Sequence, residues 1–293
     1  MHPPENHNDV PCMSLPEIGT LAYRLRMFRL RRFIFGRFHR NPIVAAIAKQ
    51  CWKNYSAWMN HDFALVRNGE GWLANRLAQE PSLGANPVFF DVGANNGIWS
   101  ILAAQHNPHI NVHAFELTPE TYEELIGHVF KFGNVRTNPI GLFSRNGEIE
   151  IFRNRSSATT GAFLHPRDVT SETFTSRVMR GDDYLSEHGI ERLNLLKIDV
   201  EGAEMEVLKG FSDALARGAI DVIQFEYAEF NIAARTFLKD YYEFLDGFRI
   251  GRLHPNFVDF RDYSTEMEDF APSNYVAVRR ELGDLIANLA RGG

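Results

Sequence analysis

From Pro87 onward, short apolar segments alternate with segments of helical periodicity, and this alternation constrains the fold more than any other feature of the chain. Apolar strands joined through helices predict βαβ units, and so a mostly parallel sheet with helices on both faces. The predicted strands cover residues 88–92, 111–115, 135–142, 148–152, 193–200, 220–227, 248–253 and 275–278. The predicted helices begin near residue 98 or cover residues 120–132, 203–217 and 237–245, and the stretch after residue 152 is predicted to be irregular.

The regions outside this alternation define the expected domain organisation. Residues 1–20 are expected to be a flexible leader, and residues 21–64 a basic helical extension. Within the extension, the Asn41-Pro42 pair separates two predicted helices at residues 21–40 and 43–59. Residues 65–280 are expected to form the main domain, and residues 281–293 a C-terminal helix or tail.

Charge is distributed unevenly along the chain. Residues 21–60 contain seven Arg, two Lys and no acidic residue, whereas the net charge of the whole chain is −6. The main domain is therefore acidic, which argues against a nucleic-acid binder. The basic stretch is interpreted either as an extension packed on the main domain or as a helix that contacts an anionic membrane or glycan surface.

The expected environment is cytoplasmic. The two cysteines, Cys12 and Cys51, are too few for a disulfide framework or a four-cysteine zinc site. The first residues lack the apolar core of a signal peptide, and no apolar run reaches the roughly 18 residues of a membrane span. Nothing in the sequence defines an oligomeric state.

The segment from Phe89 to Ser100 is the most informative one for a ligand, because a strand ends there in glycines and leads into a helix. Gly93 permits a tight turn, and Gly97 allows the helix to approach its neighbours closely. The segment is not G-x-G-x-x-G, since position 95 is Asn, and Asp91 would repel a pyrophosphate. A ligand with a cationic amine and a sulfonium fits better, which favours S-adenosylmethionine over NAD or FAD.

Glu116 follows the second predicted strand, 19 residues after Gly97. An acidic side chain at this point can accept hydrogen bonds from both hydroxyls of a ribose, as it does in dinucleotide folds. By itself Glu116 could equally be a solvated loop residue. Together with Asp91 and the glycines it indicates a nucleoside site.

Charged residues alternate along the strand predicted at residues 193–200 and beyond it. Lys197, Asp199 and Glu201 would share one face of an extended strand, and Glu226 falls at the end of the next one. Lone charges are costly in a buried strand, so these groups must pair with one another or reach the carboxyl edge of the sheet, where α/β proteins bind ligands.

Transfer of the methyl group of S-adenosylmethionine requires a placed acceptor atom, and an alcohol acceptor would in addition need a base to remove its proton. Asp199 is the first choice for the residue beside the methyl group, in contact with cofactor and acceptor, as base or orienting group. Glu201 and Glu226 are alternatives, and Lys197 would hold the carboxylates in place. A purely structural ion-pair cluster is the other interpretation. Asp199, Glu201 and Glu226 would also suit Mg²⁺, but no ligand spacing demands a metal, and none is predicted.

The chain resembles the FkbM-type S-adenosylmethionine-dependent methyltransferases. The matching motifs are Asn68-Gly69-Glu70, Asp91-Val92-Gly93-Ala94-Asn95, Phe115-Glu116, Gly181-Asp182-Asp183-Tyr184-Leu185, Leu196-Lys197-Ile198-Asp199-Val200-Glu201-Gly202-Ala203-Glu204, Gln224-Phe225-Glu226-Tyr227 and Asn274-Tyr275-Val276-Ala277-Val278. The resemblance implies a Rossmann-like methyltransferase sheet, mostly parallel with the last strand antiparallel. It also implies O-methylation of a sugar, glycolipid or natural product. The basic extension lies outside the matching region.

An acceptor site is expected in the segment between Glu226 and Tyr275, which is rich in aromatic and polar side chains suited to sugars. His254 and Asn256 are its predicted substrate contacts, because they follow a strand where Pro255 turns the chain. If they only support the fold, the basic helices become the place to seek acceptor recognition.

Two other functions remain open from sequence alone. One is a non-catalytic Rossmann-like module that binds a nucleoside and docks a partner through its basic helices. The other is a nucleotide-linked oxidoreductase, which the missing G-x-G-x-x-G disfavours.

Overall fold

A computed structural model describes residues 15–154, 160–161 and 171–291, and the chain divides into two compact units at residues 58 and 59. The first unit contains helices α1 (Leu15–Arg37) and α2 (Pro42–Trp58). The side chain of Asn41 accepts hydrogen bonds from the backbone N–H groups of Ile43 and Val44 at 2.9 and 3.3 Å, so it caps α2 as the Asn41-Pro42 break predicts. Part of the expected leader is helical, since α1 begins at Leu15, and residues 1–14 lie outside the described part.

The second unit is built on an eight-stranded sheet. Its strands are β1 (Val88–Val92), β2 (Asn111–Phe115), β3 (Val135–Asn138), β8 (Leu193–Ile198), β9 (Ile220–Tyr227), β10 (Phe248–Leu253), β11 (Val258–Phe260) and β12 (Ser273–Arg279). They lie in the order β11-β10-β12-β9-β8-β1-β2-β3. Strands β9, β8, β1, β2 and β3 are parallel, and β12 is antiparallel to both of its neighbours. The predicted Rossmann-like sheet with an antiparallel last strand is confirmed.

Helices cover both faces of this sheet, because adjacent strand residues point to opposite sides. Phe89 packs on the side of α3 (Glu70–Ala78), α4 (Ile98–His106) and α11 (Gly283–Arg291). Phe90 packs on the side of α6 (Gly181–Glu187), α7 (Glu204–Gly210), α8 (Ser212–Ala216) and α10 (Leu238–Phe244). Two further helices are α5 (Pro119–Val129) and α9 (Phe230–Ala234). The predicted helix at residues 203–217 is divided at Phe211 into α7 and α8.

A second, four-stranded sheet lies beyond the carboxyl ends of β2 and β8. It contains β4 (Gly141–Phe143), β5 (Gly147–Asn154), β6 (Thr160–Gly161) and β7 (Ser171–Arg180), in the order β4-β7-β5-β6. Its apolar side chains pack against Leu117, Val200 and Ala203 of the loops that follow β2 and β8. Two strand predictions are corrected here. The segment at 135–142 is two strands of different sheets, and part of the stretch predicted as irregular forms β7.

Candidate active site

The turn after β1 is fixed by contacts between backbone atoms. The N–H groups of Gly93 and Ala94 both donate to the carbonyl of Phe115, at 3.0 and 2.9 Å. Gly93 has a φ of +80°, and a Cβ there would lie 1.8 Å from the carbonyl oxygen of Asp199. Only glycine therefore allows the ends of β1, β2 and β8 to approach one another so closely.

The rest of the glycine turn shapes the start of α4. Asn95 adopts a left-handed φ of +50°, which Asn tolerates better than most residues, and its side chain accepts a hydrogen bond from Asn96 N–H at 2.7 Å. Gly97 has a φ of +84° and is buried, and a Cβ there would lie 2.6 Å from Leu125 of α5. The close approach that Gly97 permits is thus to a helix, and Gly97 does not line the cavity described below.

Glu116 is buried and oriented at the end of β2. Its Oε2 accepts a hydrogen bond from Asn95 N–H at 3.0 Å, and its Oε1 accepts one from Thr118 N–H at 2.7 Å. Burial raises the pKa of Glu116 above its ordinary value, although these backbone donors act in the opposite direction. A carboxylate has about four acceptor positions, so each oxygen retains one for a ligand hydroxyl.

A cavity of about 150 Å³ lies between the carboxyl edge of the large sheet and the second sheet. Of the predicted cofactor contacts, Gly93, Asn95, Glu116 and Asp199 line it, and Glu201 lines it as well. The cavity is not lined by Asp91, Lys197 or Glu226. Its apolar wall was not foreseen from the sequence and is formed by Phe115, Leu117, Leu142, Phe143, Ile149, Ile151 and Val178.

Asp91 and Lys197 form a buried pair beneath the turn. The Nζ of Lys197 lies 3.0 Å from Oδ1 of Asp91 and 3.4 Å from Oδ2 of Asp199, and Ser100 donates to Oδ2 of Asp91 at 2.7 Å. Burial lowers the pKa of Lys197, but the carboxylates of Asp91, Asp199 and Glu70 more than reverse this, so the net direction is upward. Both oxygens of Asp91 thus face Lys197 and Ser100 inside the fold, and Asp91 does not line the cavity where its cofactor contact was expected.

Glu70 is a member of this cluster to which the sequence analysis assigned no role. Its Oε2 accepts a hydrogen bond from Gln224 at 2.8 Å, and its Oε1 accepts bonds from Asn68 at 2.6 Å and Asn274 at 3.3 Å. Burial raises the pKa of Glu70, and the nearby Lys197 ammonium opposes that rise. The only indication in the sequence was the Asn68-Gly69-Glu70 motif, which says nothing about its partners.

Glu201 lies on a turn and not on an extended strand, which corrects the predicted alternation: β8 ends at Ile198, and Glu201 has a left-handed φ of +53°. Its Oε2 is buried and has no hydrogen-bond partner among the described residues. Burial raises the pKa of Glu201 to about 8, and the charges of Asp199, Glu204 and Glu229 contribute in the same direction. The turn therefore holds a carboxyl group that keeps its proton up to about pH 8 and can act as a base once it is ionised.

Glu204 fixes the turn that carries Glu201. Its Oε1 accepts hydrogen bonds from the N–H groups of Val200 and Gly202, each at 3.1 Å. Burial raises its pKa to about 7. Burial raises the pKa of Glu226 well above its ordinary value, and the nearby charges of Asp199, Glu201 and Glu204 contribute in the same direction.

His254 and Asn256 are not brought to the cavity. They lie in the hairpin between β10 and β11, where the His254 ring stacks on Phe257 with centroids 4.5 Å apart. A Cβ on Gly69 would lie 2.1 Å from the carbonyl oxygen of His254, so the hairpin packs tightly on the start of α3. Their contact with an acceptor stays a prediction.

The described residues form neither a candidate metal site nor a candidate membrane-spanning helix. Across residues 15–154, 160–161 and 171–291, no group of three or more His, Cys, Asp or Glu side chains has an arrangement that could hold a metal ion. Over the same part of the chain, no helix combines the length and apolarity needed to cross a bilayer.

The fold and the cavity together define a class of protein. The mostly parallel sheet with its antiparallel β12, and the cavity lined by Glu116 after β2, agree with the Rossmann-like methyltransferase sheet that the resemblance implies. Residues 91–267 match the model of the methyltransferase FkbM domain. The chain belongs to the FkbM methyltransferase family and is an S-adenosylmethionine-dependent methyltransferase. The oxidoreductase and the non-catalytic module therefore have no support.

Relatives of the chain include named methyltransferases. Hexuronic acid methyltransferase AglP of Haloferax volcanii is 33% identical over 179 residues, which cover 60% of this chain and 71% of that protein. The 2-O-methyltransferase NoeI of Sinorhizobium fredii is 24% identical over 160 residues, covering 50% and 64%. The 31-O-demethyl-FK506 methyltransferase FkbM of Streptomyces tacrolimicus is 29% identical over 156 residues, covering 43% and 60%. The chain thus spans less than two thirds of the latter two proteins.

The residues present fit the cofactor. The spare acceptor positions of Glu116 suit the two ribose hydroxyls, and the apolar wall suits a planar base. The carboxylate of Asp199 lines the same cavity and supplies the negative charge that a sulfonium and an amine require.

Replacing Glu116 by Ala is expected to weaken binding of S-adenosylhomocysteine by roughly 10- to 150-fold, since one charge-assisted hydrogen bond contributes about 1.5–3 kcal/mol. Isothermal titration calorimetry measures this. Glu123→Ala removes an exposed glutamate of α5 and serves as the control, with unchanged affinity expected. Unchanged affinity in a folded Glu116→Ala protein would refute the assigned role.

Proposed function

We propose that this enzyme transfers a methyl group to a hydroxyl oxygen of a sugar, glycolipid or hydroxylated natural product. The observation that carries the proposal is that Glu201 lines the cavity and that its buried Oε2 has no hydrogen-bond partner within the described part of the chain. An alcohol is a poor nucleophile until its proton is removed, whereas a carboxylate acceptor needs no base. A free carboxyl group with a raised pKa therefore supports an alcohol acceptor.

In this mechanism Glu201 and the side chains around it have different roles. S-adenosylmethionine supplies an electrophilic methyl group when it is bound. Glu201 takes the proton of the acceptor hydroxyl, and Glu204 holds the turn that carries it. Asp199, which is oriented by Lys197, lies at the same cavity and orients the acceptor or the cofactor amine. Asp199 is the first choice from the sequence, as base or orienting group, but its ion pair with Lys197 favours Glu201 as the base.

The charge of the site also favours a neutral acceptor. Burial raises the pKa values of Glu201 and Glu226, and the negative charges of acidic neighbours add to the rise. An acidic sugar would bring a further negative charge close to Glu201 and oppose the ionisation that it needs to act as a base, whereas a neutral acceptor would not. The names of two relatives include 2-O-methyltransferase and 31-O-demethyl-FK506 methyltransferase, which fits oxygen methylation, while AglP is named for a hexuronic acid.

The proposed acceptor class is tested with matched pairs of a neutral glycoside and its hexuronic acid, each incubated with enzyme and S-adenosylmethionine. We expect a methyl ether on the neutral member of a pair and at least tenfold slower transfer to the acid. Mass spectrometry before and after mild alkali identifies the product, because alkali cleaves a methyl ester and leaves an ether intact. Preferential formation of an alkali-labile product would contradict the proposal.

The pH dependence of the rate gives a second test. Because Glu201 accepts a proton only when ionised, kcat/KM is expected to rise with pH up to about 8 and then to level off. The residual rate of Glu201→Gln is expected to lack this rise. A rise of equal size in the variant would assign the titration to another group.

A further inference from the structure

The first unit combines positive charge with exposed aromatic side chains. Between residues 26 and 58 there are six Arg, two Lys and no acidic residue. Nearly all of these positions are exposed. The large exposed apolar side chains of this segment are Phe28, Leu30, Phe33, Ile34, Phe35, Phe38, Ile43, Ile47, Trp52, Tyr55 and Trp58. Monomeric soluble proteins rarely expose so many apolar side chains on one stretch of chain, which points to a binding surface.

Helix α2 carries its apolar and its basic side chains on opposite faces. Ile43, Ile47, Tyr55 and Trp58 follow spacings of three, four or eight residues and share one face. Lys49 and Lys53 are four residues apart and share the other face. Ile43 is 69% exposed and Trp58 70%, so the apolar face is unburied within the structure. This arrangement is that of a helix lying in the plane of a membrane interface, where Trp and Tyr are favoured.

Helix α1 differs from α2, because its apolar and basic residues alternate and no single apolar face results. Phe28, Phe33 and Phe38 are all exposed, with Arg29, Arg31, Arg32 and Arg37 between them. Long arginine side chains can extend toward a charged surface while neighbouring rings enter the interface. The absence of acidic residues from this segment matches a negatively charged partner.

We infer that the surface formed by residues 26–58 binds a bilayer rich in anionic lipids, with the apolar face of α2 inserted among the acyl chains and the basic side chains against the headgroups. A purely electrostatic partner, such as an acidic glycan, would not need the exposed Ile and Trp side chains. A neutral apolar partner would not need the charge. Both features together fit an anionic membrane interface, and the inference stands apart from the identity of the methyl acceptor.

Co-sedimentation of the full chain with vesicles tests this inference. Vesicles of phosphatidylcholine mixed with phosphatidylglycerol are expected to bind the protein, and vesicles of phosphatidylcholine alone to bind it at least tenfold more weakly. Each basic residue near an anionic bilayer contributes about fivefold to affinity, so R29Q/R31Q/R32Q is expected to lose roughly 100-fold. R76Q/K131Q/R217Q removes three exposed cations of the second unit and is the matched control, with little change expected.

Insertion is tested separately with lipids brominated on their acyl chains. These should quench the fluorescence of Trp58, which lies on the apolar face of α2, and W58F should lose most of this quenching while still binding S-adenosylhomocysteine. Binding to soluble dextran sulfate without binding to vesicles would overturn the inference in favour of an acidic glycan. Absence of vesicle binding, equal binding to neutral vesicles, or equal losses in the control variant would also overturn it.

Discussion

Replacing Glu201 by Gln is expected to slow methyl transfer by about 10²–10⁴-fold, the usual contribution of a general base, while S-adenosylhomocysteine still binds. The amide keeps the shape of the side chain but cannot accept a proton from the acceptor hydroxyl. Steady-state kinetics on a neutral glycoside measures the loss. A rate within threefold of the unaltered enzyme would remove Glu201 from the mechanism.

The same variant is expected to be more stable than the unaltered protein above pH 8, which a structural role would not predict. The native Glu201 carboxyl holds its proton up to about pH 8, whereas its ordinary pKa is 4.5. The folded state therefore binds more protons over this interval, and the stability of the unaltered protein falls as the pH rises through it. Because one pKa unit corresponds to about 1.4 kcal/mol, and solvent reduces the effect, we expect a gain on the order of 1–3 kcal/mol in urea unfolding at pH 8 or above.

Glu206→Gln is the matched control on helix α7. Glu206 accepts hydrogen bonds from Ser144 and Lys209, and although burial raises its pKa, these partners lower it overall. Its ionised form therefore stabilises the fold, and the glutamine variant should be slightly less stable at neutral pH with normal turnover. If Glu201→Gln and Glu206→Gln are both less stable than the unaltered protein, the carboxyl group of Glu201 has a structural role.

Replacing Lys197 by Met is expected to destabilise the protein by about 3–5 kcal/mol, because it removes the cation of a buried pair and leaves carboxylates uncompensated. The Lys197 side chain is only 4% exposed and lies 3.0 Å from Asp91. Urea unfolding at pH 7 measures the loss. Lys209→Met, which removes a half-exposed lysine paired with Glu206, should cost less than about 1 kcal/mol.

A double variant separates charge from shape at Lys197. Asp91→Asn added to Lys197→Met removes the nearest uncompensated carboxylate, and we expect it to restore part of the lost stability. An unchanged or deeper loss in the double variant would mean that packing of the lysine stem, and not its charge, stabilises the edge of the sheet.

The large sheet was predictable because short apolar segments alternate with helical segments along the chain. This alternation is typical of parallel strands that are joined by helices. The second sheet was not predictable, since β7 (Ser171–Arg180) is mostly polar, with only Phe174, Val178 and Met179 apolar, and pairs with β5 across a long segment. The contact of Lys197 with Asp199 was predicted from the charges along one strand, but its contact with Asp91, which was expected at the cofactor, was not. The position of Glu70 could not be predicted, because its contacts with Gln224 and Asn274 depend on long-range packing.

The conformation of Glu201 could not be predicted from the sequence either. Its type and its position after β8 indicated a site at the carboxyl edge, but a period of two assumes an extended backbone. The left-handed φ of +53° and the hydrogen bonds from the turn to Glu204 are local features that this periodicity cannot express. These features leave Oε2 of Glu201 without a hydrogen-bond partner among the residues that the structure describes, while Asp199 is bound to Lys197.

The central claim is methyl transfer to an alcohol oxygen with Glu201 as the base, and one labelling measurement tests it most directly. The enzyme and its Glu201→Gln variant are each incubated with a neutral glycoside and S-adenosylmethionine that carries a deuterated methyl group. Nuclear magnetic resonance and mass spectrometry then locate the label. We predict a deuterated methyl ether on a single hydroxyl oxygen, formed by the unaltered enzyme and almost undetectable with the variant. A label on nitrogen or on a carboxyl group, or equal labelling by both proteins, would contradict the account.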